Sequence, residues 1–135
     1  MAGREAPFVV TIERLPSPGM NPNRSQGKAW PEYHAAKMCD HEAAWGNARS
    51  QRLRPGMPWA SVTAHVHFVI PYVKSPRRRD WDNLIASCKG FWDGLVGAGV
   101  LTDDSMDVIK EVSFSNEFLK GSYAETIFEI RRSHE

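Results

Sequence analysis

The stretch RRRDWDN, residues 77–83, sets Arg77, Arg78 and Arg79 directly before two aspartates, Asp80 and Asp82, one residue apart. Guanidinium groups bind phosphate oxygens through paired hydrogen bonds. Crowded carboxylates repel one another unless a cation offsets their charge. A second acidic pair, Asp103–Asp104, follows beyond a helical segment that carries Lys89. Carboxylate oxygens suit Mg2+, which keeps several of its waters and so needs few protein ligands. Such an ion positions a water nucleophile and neutralises charge developing on a scissile phosphate. Lys89 could hold a phosphate oxygen or the leaving group. The chemistry on offer is therefore a basic rim that attracts a phosphodiester backbone around an acidic centre that cuts it. Each piece also has a plain structural use. Asp82 suits a helix N-cap, Asp103–Asp104 suits a turn, and adjacent arginines suit a solvated surface.

Other motifs fall short of their chemistry. HEAAW at His41 lacks the second histidine of a zinc-protease helix. DWDN at Asp80 lacks the third oxygen position and the glycine of a calcium loop. GLVGAG has its glycines in the wrong order for a dinucleotide turn. His65 and His67 point the same way from a strand and could bind metal, although histidine is common on polar strand faces.

The elements that must position these groups follow from periodicity. PFVVTIERLP reads as a short strand between Pro7 and Pro16. SPGMNPNRSQGKAWP is a long Pro/Gly/Asn loop carrying Arg24 and Lys28. EYHAAKMCDHEAAWGNARSQRL is rich in helix formers and reads as a helix. WASVTAHVHFVIP alternates: Ala60, Val62, Ala64, Val66, Phe68 and Ile70 share one face, and Ser61, Thr63, His65 and His67 share the other. YVKSPRRR, with Lys74, is a basic connector. From Asp82, about 100° per residue gathers Leu84, Ile85, Cys88, Phe91, Trp92 and Leu95 on one side of a second helix. Lys89 and Asp93 then lie within about 20° of Asp82 on the opposite side. GLVGAGVLTDDS closes that helix and turns at Asp103–Asp104. DVIKEVSFS and AETIFEIRR read as two final strands, with NEFLKGSY between them. The expectation is an α+β fold in one domain over residues 1–135, ordered β-α-β-α-β-β. A mixed sheet of about four strands would pack with two main helices.

With 135 residues, 41% hydrophobic and 24% charged, the chain has ordinary globular composition. A domain of that length buries roughly two-thirds of its unfolded surface. A net charge of +1 means that any nucleic-acid contact must come from clustered, not general, positive charge. Cys39 and Cys88 are far apart and read as reduced thiols. No run is apolar and long enough for a signal peptide or a membrane span. The expectation is a cytoplasmic protein with no membrane partner. The aromatics Trp45, Trp59 and Trp92 read as core more than as an interface.

RRRDWDNLIASCKGFWDGLVGAGVLTDDS resembles the signature of RusA-type Holliday junction resolvases of bacteria and phages: Asp-x-Asp-Asn, a lysine, Asp-(Ala/Gly)-Leu, then Asp-Asp. LPSPGMNPNR is similar to that family's Pro/Asn-rich loop after its first strand. The resemblance is strong over about thirty residues and agrees in element order across most of the chain. It implies a homodimer that cuts four-way DNA junctions symmetrically with Mg2+ or Mn2+, leaving 5′-phosphate and 3′-hydroxyl ends, and needing no other cofactor. It implies that Asp80, Asp82, Asp104 and Lys89 are catalytic. Metal would be held by Asp80, Asp82 and Asp104, with Asp103 adjacent. DNA would meet Arg77, Arg78, Arg79, Arg24, Lys28 and Lys74. The family's usual lysine falls four residues after the second aspartate, where this chain has Ala86; Lys89 falls seven after. In one continuous helix both positions lie within about 40° of Asp82, so the face is kept while the axial separation grows from about 6 Å to about 10.5 Å. Cutting of flaps, or DNA binding without cutting, would use the same groups.

Overall fold

The computed structural model describes residues 5–21, 30–77 and 80–133. Four strands, β1 (Phe8–Ile12), β2 (Val62–Tyr72), β3 (Ile109–Lys120) and β4 (Glu125–Arg132), form one sheet in the order β1-β4-β2-β3. β4 lies antiparallel to both β1 and β2, while β2 and β3 run parallel. The helices are α1 (Trp30–Arg49), α2 (Trp81–Ala86) and α3 (Lys89–Gly97), with a short 3-10 turn at Pro18–Met20. This is the expected α+β domain with a mixed four-stranded sheet.

Alternation decides which face of the sheet is covered. Phe8, Val10 and Ile12 of β1, Val62, Val66 and Phe68 of β2, and Phe128 and Ile130 of β4 are all buried. They meet Phe91, Leu95 and Cys88 from the helical layer in one core. Full burial of each large apolar side chain contributes about 1.5–3 kcal/mol. The opposite sheet face carries the half-buried Thr63, His65 and His67.

Glycines set the helix spacing. A Cβ on Gly94 would stand 2.4 Å from the His41 carbonyl oxygen, and one on Gly90 would stand 2.7 Å from Asp40 Cβ. Only hydrogens at these two positions let α3 press against α1, whose buried stripe is Asp40, Ala44 and Ala48.

Two expectations need correction. A single helix from Asp82 to Leu95 does not form. Ser87 sends its hydroxyl back to the Asn83 carbonyl at 2.6 Å, and the Cys88 N–H bonds Ile85, three residues back. This competing local bonding tightens the turn and separates α2 from α3. Ile85, expected on the core face, is therefore exposed. Likewise NEFLKGSY is not a connector throughout: β3 continues to Lys120, because eleven residues of β2 offer it a partner.

Candidate active site

The turn after α3 brings an acidic group back to that helix's first residue. α3 ends in paired C-terminal bonds: Val100 N–H to the Leu95 carbonyl at 3.1 Å and Gly99 N–H to Val96 at 3.0 Å. Gly99 adopts φ +88°, the left-handed conformation that glycine takes without cost. The reversed chain then reaches Asp103–Asp104. Lys89 Nζ stands 2.7 Å from Asp104 Oδ2 and 2.9 Å from Asp93 Oδ1. Asp93 also meets Lys37 of α1 at 3.3 Å. Lys37, Asp93, Lys89 and Asp104 thus alternate in sign along one edge of the helical layer. Hydrogen bonds to Asp104, and then to Asp93, push the Lys89 pKa upward and keep it an ammonium. Asp103 accepts the Asp104 N–H, which lowers its pKa, and is exposed.

Asp80 and Asp82 flank the exposed Trp81 where α2 begins. Asp80 occupies the N-cap position without making a side-chain cap bond. Both carboxylates are exposed, and neither bonds a side chain of another described residue. No group of three His, Cys, Asp or Glu among the described residues lies close enough together to hold a metal ion. The described residues of one chain therefore do not by themselves gather Asp80, Asp82 and Asp104 into a closed cage.

Asp80 does border a cavity of about 670 Å3 with Arg77, Asn83 and Ser87 on one side and Pro16 and Ser17 on the other. The opposite wall comes from the loop after β1, and a buried carboxylate fixes it. Asp40 of α1 has no exposed surface; it accepts the Ser17 N–H at 2.9 Å, the Ser17 hydroxyl and the Arg14 guanidinium. Burial raises the Asp40 pKa, with the Ser17 and Arg14 contacts opposing that rise. Sequence reasoning missed Asp40. Its one signal was spacing, four and eight residues before the buried Ala44 and Ala48.

Neither a protein-family model nor a curated protein matches this chain.

The other expected residues are distributed as follows. Arg77 is exposed at the cavity, and Lys74 is exposed in the bend after β2. Arg24, Lys28, Arg78 and Arg79 lie outside the described residues. His65 and His67 are engaged with β3. His65 Nδ1 and Nε2 meet Ser113 and Ser115 at 2.6 and 2.7 Å, and His67 Nδ1 and Nε2 meet Ser115 and Glu117 at 2.6 and 3.3 Å. Trp59 is buried and Trp92 packs edge-on against Phe128 at 4.9 Å, but Trp45, expected in the core, is exposed, with the Arg49 guanidinium over its ring at 5.8 Å.

Proposed function

We propose that this chain is a metal-dependent endonuclease of the RusA type that resolves four-way DNA junctions by paired nicks. The reading rests on the sequence resemblance. The observation that carries it furthest is the Lys89–Asp104 pair: the turn returns one predicted catalytic carboxylate to the predicted catalytic lysine, 15 residues earlier in the chain. Acidic oxygens on exposed side chains are the donor chemistry Mg2+ or Mn2+ takes. Asp80, Asp82 and Asp104, with Asp103 adjacent, are the residues that would hold it. The ion would supply a polarised phosphate and an activated water. Lys89 sits where it can pass from Asp104 to a phosphate oxygen, and Asp93 keeps it on that side of α3. Arg77 and Asp80 border the same cavity, which supports a reading in which a phosphodiester meets a guanidinium and a carboxylate together. Lys74 extends the positive rim and belongs to duplex binding rather than to the chemistry.

The test is cleavage of a labelled synthetic four-way junction. Expected are paired, Mg2+-dependent nicks by the wild type, and binding without nicks by Asp82→Asn and Asp104→Asn. Preferential cutting of flaps would assign a different branched substrate. Binding with no cutting under any Mg2+ or Mn2+ condition would sink the catalytic reading.

A further inference from the structure

Asp40 of α1 is where the two halves of the candidate site meet. Ser17, from the loop after β1, gives it an N–H at 2.9 Å and a hydroxyl, and Arg14 gives it a guanidinium. Ser17 also lines the cavity that Arg77 and Asp80 border. On its other side Asp40 meets α3: a Cβ on Gly90, the residue after Lys89, would stand 2.7 Å from Asp40 Cβ. Arg14 reaches the same helix, with its guanidinium carbon 5.9 Å from the centre of the Phe91 ring. The Asp40 side chain has no exposed surface, so it cannot itself touch a substrate.

Three donors aim at Asp40, and only a carboxylate takes them all. Oδ2 accepts the Ser17 N–H, while Oδ1 accepts the Ser17 hydroxyl and the Arg14 guanidinium. A carboxamide of the same shape has one acceptor oxygen and an NH2 that must face a donor. Asparagine would therefore fill the space and lose part of the grip. Stability does not account for the charge. Burial works against it, pushing the Asp40 pKa up, and buried ion pairs often give way to neutral groups without loss of stability. What the charge adds is a fixed place for Arg14 and Ser17 against α1 and α3.

We propose that Asp40 is a positioning residue: it pins the Ser17 wall of the cavity to the Lys89 end of α3, and so sets the gap in which phosphodiester, carboxylates and lysine must meet. This role rests on the nuclease reading above and adds to it a residue outside the motif that carries the resemblance. Misplacing reacting groups by about 1 Å costs on the order of 100-fold in rate. Releasing the wall should therefore lower kcat. Junction binding, which depends on exposed cations such as Lys74 and Arg77, should stay.

Asp40→Asn tests it, with Glu42→Gln, an exposed carboxylate two residues along α1, as the control. The measurements are hydrogen exchange of the Ser17 amide by NMR without DNA, the urea midpoint at neutral pH, and Mg2+-dependent cleavage of a four-way junction. In Asp40→Asn the Ser17 amide should exchange roughly 10-fold faster or more. Its kcat should fall about 100-fold with KM within about 3-fold of wild type. Its urea midpoint should be no lower than that of the wild type, whereas a residue that only held the fold would lose stability and activity together. Glu42→Gln should match the wild type throughout. Asp40→Asn/Arg14→Gln, which removes both charges, repeats the test should the single variant not fold, and collapse of both would make Asp40 a residue of the fold and overturn the proposal. Full-rate cleavage by a folded variant would overturn it too, as would Ser17 exchange at the wild-type rate or a loss confined to KM. A wild type that cuts no branched DNA sinks the nuclease reading and the positioning role with it; a wild type and an Asp40→Asn variant that cut equally sink the positioning role alone.

Discussion

Replacing Gly94 by alanine tests how the helical layer positions the site. The new Cβ would meet the His41 carbonyl oxygen at 2.4 Å and Ala44 Cβ at 2.8 Å. Non-bonded carbon contacts settle near about 3.5 Å or more, so the helices must part by roughly 1 Å. A backbone oxygen in mid-helix cannot swing aside as a side-chain tip can. Overpacking of this kind costs about 1–3 kcal/mol. A 2.4 Å contact with backbone belongs at the upper end, about 2–3 kcal/mol; alanine regains up to about 1 kcal/mol of helix propensity, leaving a net loss of about 1–2 kcal/mol. For a domain of this size that lowers Tm by about 3–8 °C. The same move also pulls Asp93 from Lys37, now 3.3 Å away, and loosens the Lys89 anchor. Gly46→Ala is the matched control. Gly46 lies in α1, and its added Cβ would meet nothing within 4 Å. It should stabilise by about 0.5–1 kcal/mol. Urea unfolding followed by tryptophan fluorescence, to which buried Trp59 contributes, reads both. Opposite signs are expected, and a Gly94→Ala protein as stable as wild type would refute the close approach of α1 and α3.

Three further outcomes follow. Lys89→Met removes both ion pairs of a half-exposed side chain, so stability should change by less than about 1 kcal/mol while junction cleavage falls steeply; equal loss of binding and cleavage would move Lys89 out of the chemistry. Asp40 is raised above its ordinary 3.8 by burial, so its contribution to stability is full below that pH and declines as pH rises through the folded pKa. Relative to Asp40→Asn, the wild type should lose urea resistance from about pH 4 upward, and parallel curves for the two proteins would contradict this. Gly99→Ala forces a side chain into φ +88° and should cost about 1–2 kcal/mol in thermal unfolding, with no change expected if the turn relaxes.

What the sequence revealed depended on the range of the forces involved. The alternation from Val62 to Ile70 is local, and burial follows it residue by residue. β4 was legible for the same reason, through Thr126, Phe128 and Ile130. The far end of β3 was not, because Asn116 and Glu117 are poor strand formers held by pairing with β2. The break between α2 and α3 has no proline. It depends on the Ser87 hydroxyl choosing a backbone carbonyl, a competition that spacing does not reveal. At the candidate site, the type and order of Asp80, Asp82, Lys89 and Asp104 were readable, but the return of Asp104 to Lys89 needed the geometry of the Gly99 turn. The Asp40 clamp was hidden entirely, since Arg14 and Ser17 reach it across 26 and 23 residues.

The sheet order carries a consequence for how the molecule is made. β4, which follows the other three described strands in chain order, sits between β1 and β2. Until the ribosome has released residues 125–132, Phe8, Val10 and Ile12 have no neighbouring strand to complete their side of the core. The nascent chain must therefore hold β1 in reserve and close the sheet only after residues 125–132 have emerged. Folding of this kind is governed by long-range pairing and proceeds slowly for the chain's length.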